Sequence, residues 1–343
     1  MPADRVPIAT LAAPHDGVVT QAALVAEGYH HATAHDAAQR GLWQRLLPGI
    51  YLTSAHEPSL RQRCHAALLH AGPEGVITGR AGCDLRGIAT PGAGDTEVCV
   101  VVPASAHPSA REFCHVSRAR QMPDYQVLRR EGGSELRVAL PGRCVADAIR
   151  RASTLAAARA IGTTALRAPS VDWDSVAREV RPGPNAGHLL RVVRDVNDGV
   201  RSPAEADVHD VVRRAAIRGR LPAYLLNPEL YLDGDLIGSP DVWFPGLGLG
   251  DEVDSREWHE GQDQLDATLL RHERFAAHGL ALCHITPRRF GASPAAHVAT
   301  LRTMVAAREA LKVREPRGLV VLARGPLLPA RIAWPQLSPR RWR

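Results

Sequence analysis

Lysine is almost missing from this chain: Lys312 stands alone against 41 arginines in 343 residues. The bias points to a GC-rich coding sequence, and it leaves nearly all the basic charge on the side chain that grips phosphate bidentately. No apolar run reaches membrane-spanning length and no secretory signal pattern opens the chain, so a cytoplasmic protein with no membrane partner is expected. The six cysteines (Cys64, Cys83, Cys99, Cys114, Cys144, Cys283) include no Cys-x-x-Cys pair. They therefore read as small buried hydrophobes in a reducing compartment, not as a zinc site or a disulfide frame. Two apparent motifs also fail. Gly246, Gly248 and Gly250 lead into Asp251 and Glu252, which would repel a pyrophosphate. His259-Glu260 lacks the second histidine of a zinc protease helix, because position 263 is Asp263.

With 45% hydrophobic residues, the chain can bury a sizeable core and is long enough for two or three domains. Its net charge of +6 is unevenly spread: −2 over residues 1–60, +5 over 61–199, −5 over 200–290 and +8 over 291–343. A basic tail beside an acidic centre suits a metal-dependent site on a polyanion, with Arg340, Arg341 and Arg343 on phosphates and carboxylates on the metal. The alternative is a solvated tail with no ligand.

The patterning predicts a mixed α/β protein with boundaries near 55, 198 and 290. Residues 18–26 and 33–40 read as helices separated by Glu27-Gly28, with Thr20 a candidate cap. Residues 42–51 read as two short strands around Pro48-Gly49. This order resembles the N-terminal winged-helix domain of the AbiEi antitoxin family of type IV toxin-antitoxin systems, over residues 14–53 and most specifically in the wing. The resemblance implies a winged-helix domain over 1–55 that binds DNA through its second helix, where Thr33, Gln39 and Arg40 are the candidates, and a cognate toxin as a possible protein partner. Packing or protein contact is the other use of such a domain.

Residues 56–198 read as an α/β middle domain with helices at 60–70, 79–87 and 143–158 and strands at 97–103, 113–117 and 125–128. Asp147 and Arg143, one helical turn apart, read as a surface pair. A Pro- and Gly-rich loop at 181–185 precedes a helix over 186–197, and 198–203 marks the next boundary.

The most informative stretch is Ser239–His259. Tyr231-Leu232, Asp233-Gly234 and residues 236–244 read as a hairpin, since Asp-Gly supplies the positive φ angles of a two-residue turn. After Pro245-Gly246, alternation over 247–254 predicts a strand with Glu252 and Asp254 on one face. Asp241 falls on a neighbouring strand, so three carboxylates could converge, and such a group calls for a divalent cation or a bound proton.

Glu205 in an early helix, Pro240-Asp241, Glu252-Val253-Asp254 and His259 together resemble the Vsr-like branch of the PD-(D/E)XK nuclease superfamily, with Arg271, Phe275, Gly279 and a strand over 280–286 extending the likeness. The resemblance implies a restriction-endonuclease-like α/β domain over 199–290, followed by a helix and basic tail over 291–343. It further implies Mg²⁺ or Mn²⁺ held by Asp241 and Glu252, with Glu205, Asp254, His259 and Arg271 completing a catalytic set. The superfamily's lysine is absent, since Asp254 stands in its place. Two functions follow: a metal-dependent DNA endonuclease, or a non-catalytic DNA-binding antitoxin or transcriptional regulator that keeps the fold as a scaffold.

Overall fold

The computed structural model describes residues 5–92, 97–130, 133–181, 186–254 and 262–323, with the backbone alone described over 262–268. The protein is mixed α/β, and it divides into two compact units, residues 1–190 and 191–343.

The first unit opens with α1 (Ile8–Ala12), a 3-10 turn (Ala13–His15), β1 (Val18–Thr20), α2 (Gln21–Ala26), α3 (Thr33–Gln39), β2 (Gln44–Leu47) and β3 (Ile50–Leu52). The strands form an antiparallel sheet in the order β1-β3-β2, and the β2–β3 turn runs through Gly49 at φ +71°. Val18–Thr20 is thus strand rather than the start of a helix over 18–26. Its two β-branched valines are buried beside β3, and the helix begins only where Thr20 caps it, Oγ1 accepting from Ala23 N at 3.0 Å.

The chain continues through α4 (Leu60–Ala71), β4 (Val76–Thr78), α5 (Gly79–Leu85), β5 (Val98–Pro103), β6 (Cys114–Ala119), β7 (Tyr125–Arg129), β8 (Glu135–Ala139), α6 (Pro141–Arg151), α7 (Leu155–Ala165) and α8 (Trp173–Arg178). A five-stranded mixed sheet runs β6-β5-β4-β8-β7. The single helix expected over 143–158 is two: Ala152 leaves helical geometry at ψ 133°, and Thr154 recaps α7 by accepting from Ala157 N at 3.1 Å. Asp147 is also no surface residue. It is 9% exposed and accepts from Thr78 Oγ1 (2.9 Å), Arg143 Nε (2.7 Å) and Arg150 Nη1 (2.6 Å), tying α6 to β4. Gly82 lets α5 approach α6, since a Cβ there would stand 2.5 Å from Cys144 Sγ.

The boundary between the units falls inside α9 (Ala186–Asn197). Then follow α10 (Pro203–Ile217), β9 (Leu225–Leu226), β10 (Glu229–Leu232), β11 (Asp235–Gly238), β12 (Val242–Phe244), β13 (Leu249–Val253), α11 (Gln262–Ala277), β14 (Ala281–Ile285), α12 (Pro287–Ala292), α13 (Pro294–Ala310) and β15 (Leu319–Leu322). The hairpin turn at Asp233-Gly234 has positive φ at both residues (52° and 94°), as its sequence predicts. Its second arm is split, however: β11 stays with β10 and β15, whereas β12 joins the sheet β14-β13-β12-β9. Pro240, which has no N–H to give a ladder, sits at the break.

Within that second sheet β12 and β13 are antiparallel and β13 and β14 parallel. One face carries Val242, Phe244, Leu249, Val253, Cys283 and Ile285 into a core with Val208 and Val212 of α10, Phe290 of α12 and Leu301 of α13. The other carries Trp243 against Leu230, Ile237 and Phe275, with Leu282 packed alongside. Strand alternation therefore puts Asp251 on the α10 and α13 side and Glu252 on the α11 side.

Candidate functional site

Glu205 lies in the first turn of α10, three residues after the cap Ser202. Ser202 Oγ accepts from Glu205 N at 3.2 Å, and Glu205 Oε2 accepts from Arg201 N at 2.8 Å. These two hydrogen bonds fix where the carboxylate stands. Asp241 directly precedes β12. Its Oδ2 accepts from Val253 N at 2.7 Å, and its carbonyl accepts from Asn227 N at 3.1 Å, so both ends of the residue are pinned to backbone.

Glu205 and Asp241 line one narrow cavity of about 10 Å³ together with Val208, His209 and Asn227. That is room for a single water or small ion. Burial raises the Asp241 carboxyl to about 7, the Glu205 charge and then that of Asp251 push the same way, and the Val253 amide opposes them. Burial likewise raises Glu205, against the hydrogen bonds it receives at the helix cap. Two carboxylates in a narrow buried cleft repel, and the Glu205 charge makes Asp241 harder to ionise.

Glu252 has a different set of neighbours. Its Oε1 pairs with Arg271 of α11, and its Oε2 lies 3.3 Å from Nε2 of His284, its register partner on β14. The His284 ring stacks on His272 at 3.8 Å between centroids. Burial lowers both histidines; the charge of Asp254 opposes it at His284, and His284 reinforces it at His272. Glu252 Oε2, His284 Nε2 and His272 Nε2 are buried and make no hydrogen bond. Asp254 follows β13, its N–H donating to Ile285 O at 3.0 Å.

The expected convergence of Asp241 with Glu252 thus takes another form. The structure joins Asp241 to Glu205 at one cavity and Glu252 to Arg271 and His284 at another cluster, each carboxylate with its own partners. His259 and the tail arginines Arg340, Arg341 and Arg343 lie outside the described residues. In the first unit, Thr33 opens α3 half-buried, while Gln39 and Arg40 stand exposed at its end, Arg40 Nε donating to Asp36 O at 3.2 Å.

Residues with no motif to mark them also belong to this region: His272, His284, Asp251, Cys283 and His297. Asp251 pairs with Cys283, and Glu252 with His284, only through the parallel register of β13 and β14, more than thirty residues apart in sequence. No family model matches the chain and no curated protein matches it, so its own geometry carries the functional reading.

Proposed function

We propose that the chain acts on DNA and that residues 199–290 form a metal-dependent phosphodiesterase of PD-(D/E)XK type, with an AbiEi-like winged helix at 1–55 as a DNA-binding module. The carrying observation is the pair Glu205 and Asp241 facing one buried cavity the size of a single ion. The pair fits a hard divalent cation such as Mg²⁺ or Mn²⁺, because it offers oxygen donors whose mutual repulsion a cation would relieve. When bound, the ion supplies Lewis-acid stabilisation to charge developing on a scissile phosphate.

The chain's own groups prepare that site. The Arg201 and Val253 amides orient the two carboxylates before any ligand arrives. Asp254, where the superfamily's lysine would stand, orients the attacking water in this reading, and His284 beside it, which burial biases toward the neutral imidazole, can take a proton. Arg271, about 40% exposed at its side chain, can exchange Glu252 for a phosphate oxygen. Exposed Gln39 and Arg40 suit base edges and phosphates in a groove.

A second reading is favoured by the Glu252–Arg271 ion pair together with the missing lysine: a DNA-binding regulator or antitoxin, with a toxin as partner, that keeps the nuclease fold as a scaffold. Plasmid, linear duplex and single-stranded DNA incubated with the chain separate the two. The nuclease reading expects cleavage with Mg²⁺ or Mn²⁺, none with EDTA, and loss in Glu205→Gln and Asp241→Asn. DNA retention without cleavage under any metal would leave the regulator.

A further inference from the structure

On the opposite side of β13 from Glu252, three side chains of different chemistry meet in the core. Asp251 of β13 is fully buried, Cys283 of β14 is 6% exposed and His297 of α13 is 3% exposed. Parallel register places Asp251 and Cys283 side by side on one face, and His297 Nε2 reaches across from α13 to within 2.8 Å of Asp251 Oδ2. One ligand atom from each of the three lies within 4.8 Å of the others, and among the described residues no other trio of His, Cys, Asp or Glu does so. Asp251 Oδ1 is buried and makes no hydrogen bond.

From this geometry we infer that Asp251, Cys283 and His297 bind a transition-metal dication of the zinc class. An apolar core does not accommodate a carboxylate cheaply unless a positive charge and hydrogen bonds meet it, and among the described residues Asp251 is met there by His297 and the Cys283 thiol alone. The donor set is one oxygen, one nitrogen and one sulfur, which suits a borderline-soft ion with tetrahedral preference, not Mg²⁺ or Ca²⁺. The three ligands come from two adjacent strands and the helix packed over them, so the ion would staple α13 to the sheet. Binding releases the proton of the Cys283 thiol to solvent, and His297 presents Nε2 as the neutral tautomer that carries its proton on Nδ1. A buried Asp–His hydrogen bond with the Cys283 thiol against the same carboxylate is the arrangement the ion would replace, and the two differ in whether sulfur touches metal.

Cobalt reports that contact. The untagged chain, stripped with chelator and titrated with Co²⁺ alone, is expected to develop thiolate-to-cobalt absorption in the near ultraviolet, saturating at about one ion per chain and displaced by Zn²⁺. Cys283→Ser is expected to abolish the band, and His297→Gln to weaken Co²⁺ binding about tenfold or more, with circular dichroism confirming the fold. Glu205→Gln, which alters the other cavity, keeps the band. Absence of the band in the natural chain, or its survival in Cys283→Ser, overturns the assignment. Should Cys283→Ser fail to fold, Zn²⁺ must raise the melting temperature of both the natural chain and Glu205→Gln. No rise in either overturns it equally.

Discussion

Replacing Asp241 with Asn turns the acidic cavity into a measurable pH dependence. The carboxyl moves from an ordinary value of 3.8 to about 7 in the fold. Ionising it there costs about 4 kcal/mol more than in the unfolded chain. Because the folded value lies above the unfolded one, the contribution to stability is complete below about pH 4, declines as pH rises, and is gone once pH passes about 7. Roughly 3 kcal/mol of it is lost between about pH 5 and pH 8. An asparagine side chain cannot ionise, so Asp241→Asn should lack this loss and gain on the natural chain by that amount over the same interval. Urea denaturation in EDTA at the two pH values measures the difference, and Glu205→Gln should shrink it, since the Glu205 charge is the second cause of the shift. If the natural chain and Asp241→Asn respond to pH alike, Asp241 is not the buried, repelled carboxylate described here.

Asp147→Ala should destabilise the first unit by about 2–3 kcal/mol in urea, because Arg143 and Arg150, both mostly buried, lose their shared carboxylate and keep only Glu179, Arg143 at its carboxylate and Arg150 at its carbonyl. Gly142→Ala should cost about 1–3 kcal/mol by thermal melting, since the new Cβ would stand 2.8 Å from Ser175 Cβ and 3.0 Å from its backbone carbon. Gln39→Ala with Arg40→Ala should reduce discrimination among DNA duplexes in a binding assay while changing the melting temperature little, both side chains being exposed. Equal discrimination by the double variant would move DNA recognition away from α3.

Elements with local signals were legible in the sequence. The Asp233-Gly234 turn, the Pro48-Gly49 turn, the strand over Leu249–Val253 and the helix over Ala186–Asn197 each announce themselves by turn chemistry or periodicity, and the structure has them. The misread segments needed tertiary information. Val18–Thr20 continues smoothly into a helical pattern, and only pairing with β3 makes it a strand. The α6–α7 break at Ala152 carries no Gly or Pro, and Asp147 is buried because β4 and Arg150 reach it from outside its own helical turn.

The candidate site divides the same way. Glu205 and Asp241 could be singled out from their positions at a helix start and after a proline, but their shared cavity depends on how α10 meets the sheet. The assignment of Glu252 to Arg271 and His284, and of Asp251 to Cys283 and His297, follows from parallel pairing across a whole intervening helix. No spacing rule in the sequence encodes that register.

Mn²⁺ binding, followed by electron paramagnetic resonance of the free ion, tests most directly the claim that Glu205 and Asp241 form a divalent-cation site. At about pH 8, where both carboxylates can be driven to ionise by a bound cation, the natural chain should remove Mn²⁺ from solution with about one site per chain, and Mg²⁺ should compete it away. Asp241→Asn and Glu205→Gln should each abolish or severely weaken that binding, while Cys283→Ser should leave it intact. Mn²⁺ that stays free in the presence of the natural chain, or binds Asp241→Asn and Glu205→Gln as well as it binds the natural chain, would contradict the account.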